Sequence, residues 1–316
     1  MKKLIAASVA VLMTVTACGS GAYDATELPP KPQPPAVAAP AAPPKCPDTL
    51  NPVRSYSPEG ASVSSPNVAA IKARGRLIAG VSADSLHLGS RNPISGAIEG
   101  FDIDMVKAVA KAIFGTDVGH LELRVISSPQ RIPVLQDNQV DIVARNMTIN
   151  CARWQQIAFS AEYYHSGQKT LVPRDSTATS TKDKQLDGKT ICAPAGSTSL
   201  DNLQEENPNI KPITADTDTG CLVLFQSGRA YGISGDDTVL AGDAAQDPYA
   251  KVLPEKAFSA EPYGLGINIR KRDLVQFVNQ VLEDIKANGE WAASYEKWLE
   301  PDLGKATAPA PVYGRR

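Results

Sequence analysis

The chain has 316 residues, with 32 Lys and Arg against 34 Asp and Glu and a formal net charge of −2. That near-balance leaves no basic footprint for nucleic acid. After the N-terminal segment no stretch is apolar over the ~20 residues that a membrane span needs, and the globular part, residues 67–301, suits one large domain or two smaller ones.

Met1-Lys2-Lys3 is basic, residues 4–15 are apolar, and Thr16-Ala17-Cys18-Gly19 follows. Small residues before a break, with cysteine directly after it, resemble a bacterial lipobox. That pattern implies a signal peptide over 1–17 and a lipid on Cys18. The remainder is then expected outside the cytoplasmic membrane, in an oxidising space, held to the membrane by the lipid alone. Residues 18–66 are rich in Pro, Ala and Ser, a composition that buries no core and reads as an extended tether. Besides Cys18 there are Cys46, Cys151, Cys192 and Cys221. An even number in an exported chain suggests two disulfides with three possible pairings. None of the spacings is short enough for a zinc site, and no metal is expected.

Strand and helix signals then alternate. Residues 76–81 read as a strand, and a helix follows Gly100 with Ile103, Val106, Val109 and Ile113 on one face. Residues 121–126 read as a strand, residues 132–135 as a short helix, and 140–144 and 168–173 as further strands. A second set begins at 189–193, a strand, with a helix from Ser199. Residues 211–214 are extended, a helix carries Cys221, Leu222, Leu224 and Phe225, 231–234 is a strand and 238–245 a helix. Leu274, Phe277, Val278, Val281, Leu282 and Ile285 mark an amphipathic helix that ends at Asn288-Gly289. Trp291, Tyr295 and Trp298 recur at helical spacing and read as core. Residues 302–316 are again rich in Ala and Pro and are expected to be disordered. Two such β/α sets predict two α/β lobes.

The ordered motifs between Arg76 and Trp298 resemble the polar-amino-acid family, family 3, of ABC-transporter solute-binding proteins, especially its glutamine- and glutamate-binding lipoproteins. They are Gly100-Phe101-Asp102-Ile103-Asp104, Val140-Asp141-Ile142-Val143, Met147-Thr148-Ile149-Asn150-Cys151-Ala152-Arg153, Ile157-Ala158-Phe159-Ser160, Leu186-Asp187-Gly188-Lys189, Gly196-Ser197-Thr198-Ser199, Asp236-Asp237-Thr238 and Pro262-Tyr263-Gly264. The closing Asn288-Gly289-Glu290-Trp291 and Tyr295-Glu296-Lys297-Trp298-Leu299 also fit. The resemblance implies a periplasmic-binding-protein type II clamshell: two α/β lobes joined by two hinge strands, closing on ligand. Lobe one would comprise 67–164 plus 264–301, and lobe two 168–258.

An α-amino acid needs an anion site and a cation site a few ångströms apart. The resemblance assigns Arg153 and Thr148 to the carboxylate, a guanidinium being its best planar partner. Ser197 and Thr198 open a helix whose free N–H groups suit an anion. Asp237, with Asp236 beside it, is assigned to the ammonium; a cap on the helix at Thr238 is the simpler alternative. Asp84, His87, Arg91 and Asn146 are candidate walls of the side-chain pocket. That pocket departs from close relatives at Ser82, Leu88, Ala195, Asn146, Asn150 and Ala152, so the clamp looks intact and the side-chain site rewritten. On the same resemblance Cys192 pairs with Cys221, and Cys46 with Cys151.

The implied function is capture of a polar amino acid, of the glutamine, glutamate, aspartate or asparagine type, by a lipid-anchored monomer that presents it to an ABC permease. A sensor reporting occupancy to a membrane receptor uses the same closure. The chain carries no phosphate-binding Gly-rich loop and no nucleophile elbow, so neither a cofactor nor an enzymatic activity is expected.

Overall fold

The computed structural model describes residues 51–316. The expected signal peptide, Cys18, Cys46 and most of the tether lie outside the described residues. In chain order the first elements are α1 (Pro66–Arg74), β1 (Leu77–Val81), β2 (Asp84–Ser85), β3 (Gly89–Arg91), β4 (Ile98–Glu99), α2 (Phe101–Phe114), β5 (Leu121–Val125), α3 (Arg131–Gln136), β6 (Ile142–Ala144), α4 (Cys151–Trp154) and β7 (Ile157–Phe159). Then come β8 (Tyr164–Pro173), β9 (Thr190–Pro194), α5 (Thr198–Glu206), β10 (Lys211–Ala215), α6 (Asp218–Gln226), β11 (Gly232–Asp236), α7 (Asp237–Gln246), β12 (Ala250–Val252) and β13 (Ser259–Tyr263). The chain closes with β14 (Gly266–Asn268), α8 (Arg272–Ala287), α9 (Glu290–Trp298) and α10 (Glu300–Leu303).

Two large sheets form. The first has the order β5-β1-β6-β14-β7, and the second β10-β9-β11-β8-β12 with β13 also on β8. In the first, β1 runs parallel to β5 and β6, while β14 returns antiparallel between β6 and β7. Sheets with parallel strands bury both faces, which is why β1 and β6 are nearly continuous apolar runs. In the second sheet Leu171 and Cys192 join one apolar cluster while their neighbours Val172 and Ile191 join another. That alternation is the strand's period of two serving both covered faces.

Only β8 and β13 carry the chain between the sheets among the described residues. They pair antiparallel from Tyr164↔Tyr263 to Ser259↔Gln168. The C-terminal half of β8 then joins β11 and β12. A two-strand crossing of this kind leaves two lobes free to swing as bodies.

The amphipathic reading of α8 matches its buried face, which includes Leu274, Phe277, Val278, Val281, Leu282 and Ile285. Trp291 and Tyr295 stack at 5.3 Å and meet Phe101 edge-on, so the aromatic stripe is core. Gly100 precedes α2 with φ of 142°, and a Cβ there would lie 2.3 Å from the Leu88 carbonyl oxygen. No other residue fits that approach. The Cys192–Cys221 bridge is present, linking β9 to α6. Cys151 is also disulfide-bonded; its expected partner Cys46 is outside the described residues. The small sheet β2-β3-β4 has no periodic signature and was not legible in the sequence.

The expected disorder of residues 302–316 is corrected. α10 continues from α9, and Tyr313 forms a bridge with Ser55. Residues 51–65 are likewise bound to the body: Asn279, fully buried on α8, donates to Ser55 Oγ at 2.9 Å and the Tyr56 carbonyl at 2.7 Å. Pro- and Ala-rich composition removes a self-sufficient core, but a segment can still order on backbone bonds to an existing surface.

Candidate functional site

The loops at the carboxyl ends of β6, β9, β10 and β11 converge where the lobes face each other, the usual place for a ligand crevice in such sheets. Ser128, Arg131, Asn146 and Thr148 from the first lobe, and Thr198, Asp218 and Asp236 from the second, line a cavity of about 10 Å³ between them.

Arg153 comes from the single turn of α4, whose N-cap Asn150 accepts the Arg153 amide at 2.9 Å. Its guanidinium is buried and touches both lobes, with Nη1 donating to the Thr148 carbonyl at 2.7 Å and Nη2 to the Gly196 carbonyl at 3.3 Å. Burial lowers its pKa, opposed by the carboxylates of Glu261, Asp236 and Asp201. The hydroxyls of Thr148 and Thr198 both donate to one oxygen of Glu261, at 2.7 and 2.6 Å. Ser197 caps α5, accepting the Leu200 amide at 3.2 Å while donating to the Pro194 carbonyl.

The two adjacent aspartates part company. Asp236, the last residue of β11, faces the cavity and accepts the Tyr263 hydroxyl at 2.7 Å. Burial, then the Glu261 carboxylate, holds its carboxyl well above the usual range. Asp237 does not line the cavity. It accepts the Ser166 hydroxyl at 2.6 Å and the Thr238 amide at 2.8 Å, tying the hinge strand to the first turn of α7, whose N-cap position is Asp236.

Of the candidate wall residues, Asn146 lines the cavity. Its φ is 35° and its side-chain Oδ1 is buried without a partner. Such a conformation is uncommon outside Gly and concentrates at sites whose surroundings enforce it. Asp84 does not line the cavity; it accepts from Ser82 Oγ at 2.7 Å and stands 3.9 Å from Arg145 Nη2. His87 and Arg91 are not brought to the cavity. His87 Nε2 sits 3.0 Å from Asp302, and Arg91 is exposed and donates to the Gly96 carbonyl.

Several contributors were missed from sequence. Arg131 is buried and donates to the carbonyls of Arg145, Asn146 and, across the cleft, Gly196. Burial and the neighbouring positive charges of Arg153 and Arg145 push it down to about 9. Arg145 is fully buried, donates to Ser128 Oγ, and lies 3.7 Å from Asp218. Asp102 accepts the Asn146 amide at 2.8 Å and the Tyr163 hydroxyl at 2.6 Å, fixing the strained loop, and burial raises it to about 6. The only available signals were a charged residue just past a strand end at Arg145, one opening a helix at Arg131, and the Gly-Phe-Asp motif at Asp102. Among the described residues no group of three or more His, Cys, Asp or Glu could hold a metal ion. Buried guanidiniums facing carboxylates and a helix N-terminus make a recognition site for a small charged molecule.

Residues 77–301 match the family described as bacterial extracellular solute-binding proteins, family 3. A glutamine-binding protein of Geobacillus stearothermophilus is 38% identical over 196 residues, covering 62% of this chain and 74% of that one. The ABC transporter glutamine-binding protein GlnH of Bacillus subtilis is 32% identical over 235 residues, covering 74% and 85%. A solute receptor for L-cysteine of Neisseria gonorrhoeae superposes with a TM-score of 0.70 at 25% identity, covering 75% and 94%. The two lobes and their crossing strands are the type II periplasmic-binding-protein clamshell. The chain belongs to family 3 of the bacterial extracellular solute-binding proteins.

Proposed function

We propose that this chain captures a polar α-amino acid outside the cytoplasmic membrane and hands it to an ABC permease for import. The observation that carries the reading is the cleft's pairing of opposite charges across two lobes. Arg153, which bridges the lobes through Thr148 and Gly196 though it does not line the cavity, and the start of α5 offer donors for a carboxylate, and Asp236 offers a buried carboxylate for an ammonium. Both charges of a zwitterion are then paired away from water, which desolvation requires. In this reading 67–164 with 264–301 form one jaw and 168–258 the other.

A cavity of about 10 Å³ holds one water at most. The amino acid therefore enters when the jaws part about β8 and β13, and they close over it. On entry Thr148 and Thr198 exchange the Glu261 oxygen for the ligand carboxylate. Asn146, with its free acceptor, and Asp84 face the ligand side chain. Glutamine is the first ligand to test, because the Geobacillus and Bacillus relatives are named for it.

A thermal-shift screen of the chain against the common amino acids tests this. A ligand at a hundredfold excess over its Kd adds about 2.7 kcal/mol to stability, equivalent to roughly 5–10 °C for a protein of this size. No shift with any amino acid would sink the proposal. In the same screen Asp236→Asn should abolish most of the shift. Asp237→Ala should keep it while lowering the ligand-free melting point, as loss of the Ser166 and Thr238 hydrogen bonds, about 1 kcal/mol each, does. The reverse pattern would return the ammonium to Asp237.

We further infer that the monomer is anchored by lipid on Cys18. Partition of the exported protein into detergent, lost on Cys18→Ser, is the expected result; unchanged partition would remove the anchor. Cross-linking of the anchored chain separates a permease partner, which import needs, from a receptor, which would make it a sensor.

A further inference from the structure

α4 carries Arg153 but is four residues long. One turn of helix has no cooperative stability of its own, so its position is set by the disulfide at Cys151 and by what packs against it. Residues near both ends of the described chain do this. Ser55 N donates to the Val312 carbonyl at 2.8 Å, and Arg315 N donates to the Ser55 carbonyl at 3.0 Å, laying the two segments side by side. Together they enclose Trp154, the neighbour of Arg153. The indole Nε1 donates to the Pro52 carbonyl at 2.8 Å, and the Arg315 guanidinium lies 3.6 Å from the ring centroid. Arg315 Nε is itself tied to the Arg54 carbonyl at 2.8 Å.

The strap is fastened along its length. Tyr295 holds its start through the Gly304 carbonyl at 2.7 Å, and Lys286 holds its middle through the Pro309 carbonyl at 2.8 Å. A passive tail would need none of these, and a tail that only covered apolar surface would not place a guanidinium over the one indole on α4.

We propose that the C-terminal strap, acting through Arg315 on Trp154, positions Arg153 and thereby sets the affinity of the cleft. The proposal rests on the reading of Arg153 as the ligand's carboxylate partner. Its physical basis is geometric strictness. The Arg153 bond to Gly196 is already 3.3 Å long, and planar two-point recognition of a carboxylate fails with small displacements.

The test compares the unaltered full chain with Arg315→Ala, Arg315→Lys and a chain stopped after Leu303. Hydrogen exchange at the Arg153 and Trp154 amides is measured beside calorimetric titration with L-glutamine. Truncation is expected to speed exchange at both amides about tenfold and to weaken L-glutamine binding about fivefold, the equivalent of one cation–π contact. Arg315→Ala should reproduce both effects, with the melting point within about 2 °C of the unaltered chain. Arg315→Lys should restore both, since an ammonium also rests on an indole face. Unchanged exchange in Arg315→Ala and in the truncated chain overturns the proposal. Faster exchange with unchanged affinity also overturns it, leaving the strap a structural brace. If the unaltered chain does not bind L-glutamine, the ligand choice fails separately, and the exchange rates still decide whether the strap holds α4.

Discussion

Removal of the Cys192–Cys221 bridge, by reduction or by Cys192→Ala with Cys221→Ala, is expected to cost about 3–4 kcal/mol of unfolding free energy. The two cysteines are 29 residues apart in sequence and fully buried. Closing a loop of that length withdraws about this much entropy from the unfolded chain. The closed segment contains β9's exit, the Gly196–Ser199 turn, α5 and β10, so Thr198 and Asp218 of the second jaw's cleft lining lie within it, and Asp236 on β11 outside it. Denaturant unfolding monitored on the unaltered and double-variant chains measures the difference. A loss below about 1 kcal/mol would mean that the core clusters around the sheet already hold this lobe without the bridge.

Arg153→Met should weaken amino-acid binding about a hundredfold, the loss of a charge-assisted two-point contact in a dry cleft. Methionine keeps much of the apolar stem, so packing against α4 changes little. The buried Thr148 carbonyl also loses its donor, while the Gly196 carbonyl keeps Arg131, so some of the effect will register as weaker jaw closure. Arg153→Lys should lose about tenfold, because one ammonium cannot present two parallel donors in a plane. Calorimetric titration with the amino acid that gives the largest thermal shift reads both variants, with circular dichroism to check the fold. Affinity within threefold of the unaltered chain in Arg153→Met would move the carboxylate to another site, Arg131 being the next candidate.

Much of the architecture was written locally. The strand from 76 to 81, the helix after Gly100 and the stripe of α8 each declare themselves through a short-range period and a stop signal, and each forms where expected. Pairing of β8 with both β11 and β13 has no such local mark, because it joins residues far apart in the chain. The same distinction governs the cleft. Thr148, Asn146 and Thr198 reach the cavity because each lies just beyond a strand or opens a helix.

By itself, then, the sequence determined two α/β sets, while the Cys192–Cys221 pairing and the loop that bears Arg153 were implied by its resemblance to a family. Only the tertiary structure decided which neighbouring aspartate faces the cleft. Asp236 still pairs with Gln168 in the sheet while Asp237 has begun α7, so one step along the backbone turns the side chain from cavity to hinge. It also decided that Arg131 and Arg145 crowd the site and that the Pro-rich tail is bound. Those outcomes depend on surfaces contributed by distant segments, and neither period nor composition encodes where two such surfaces meet.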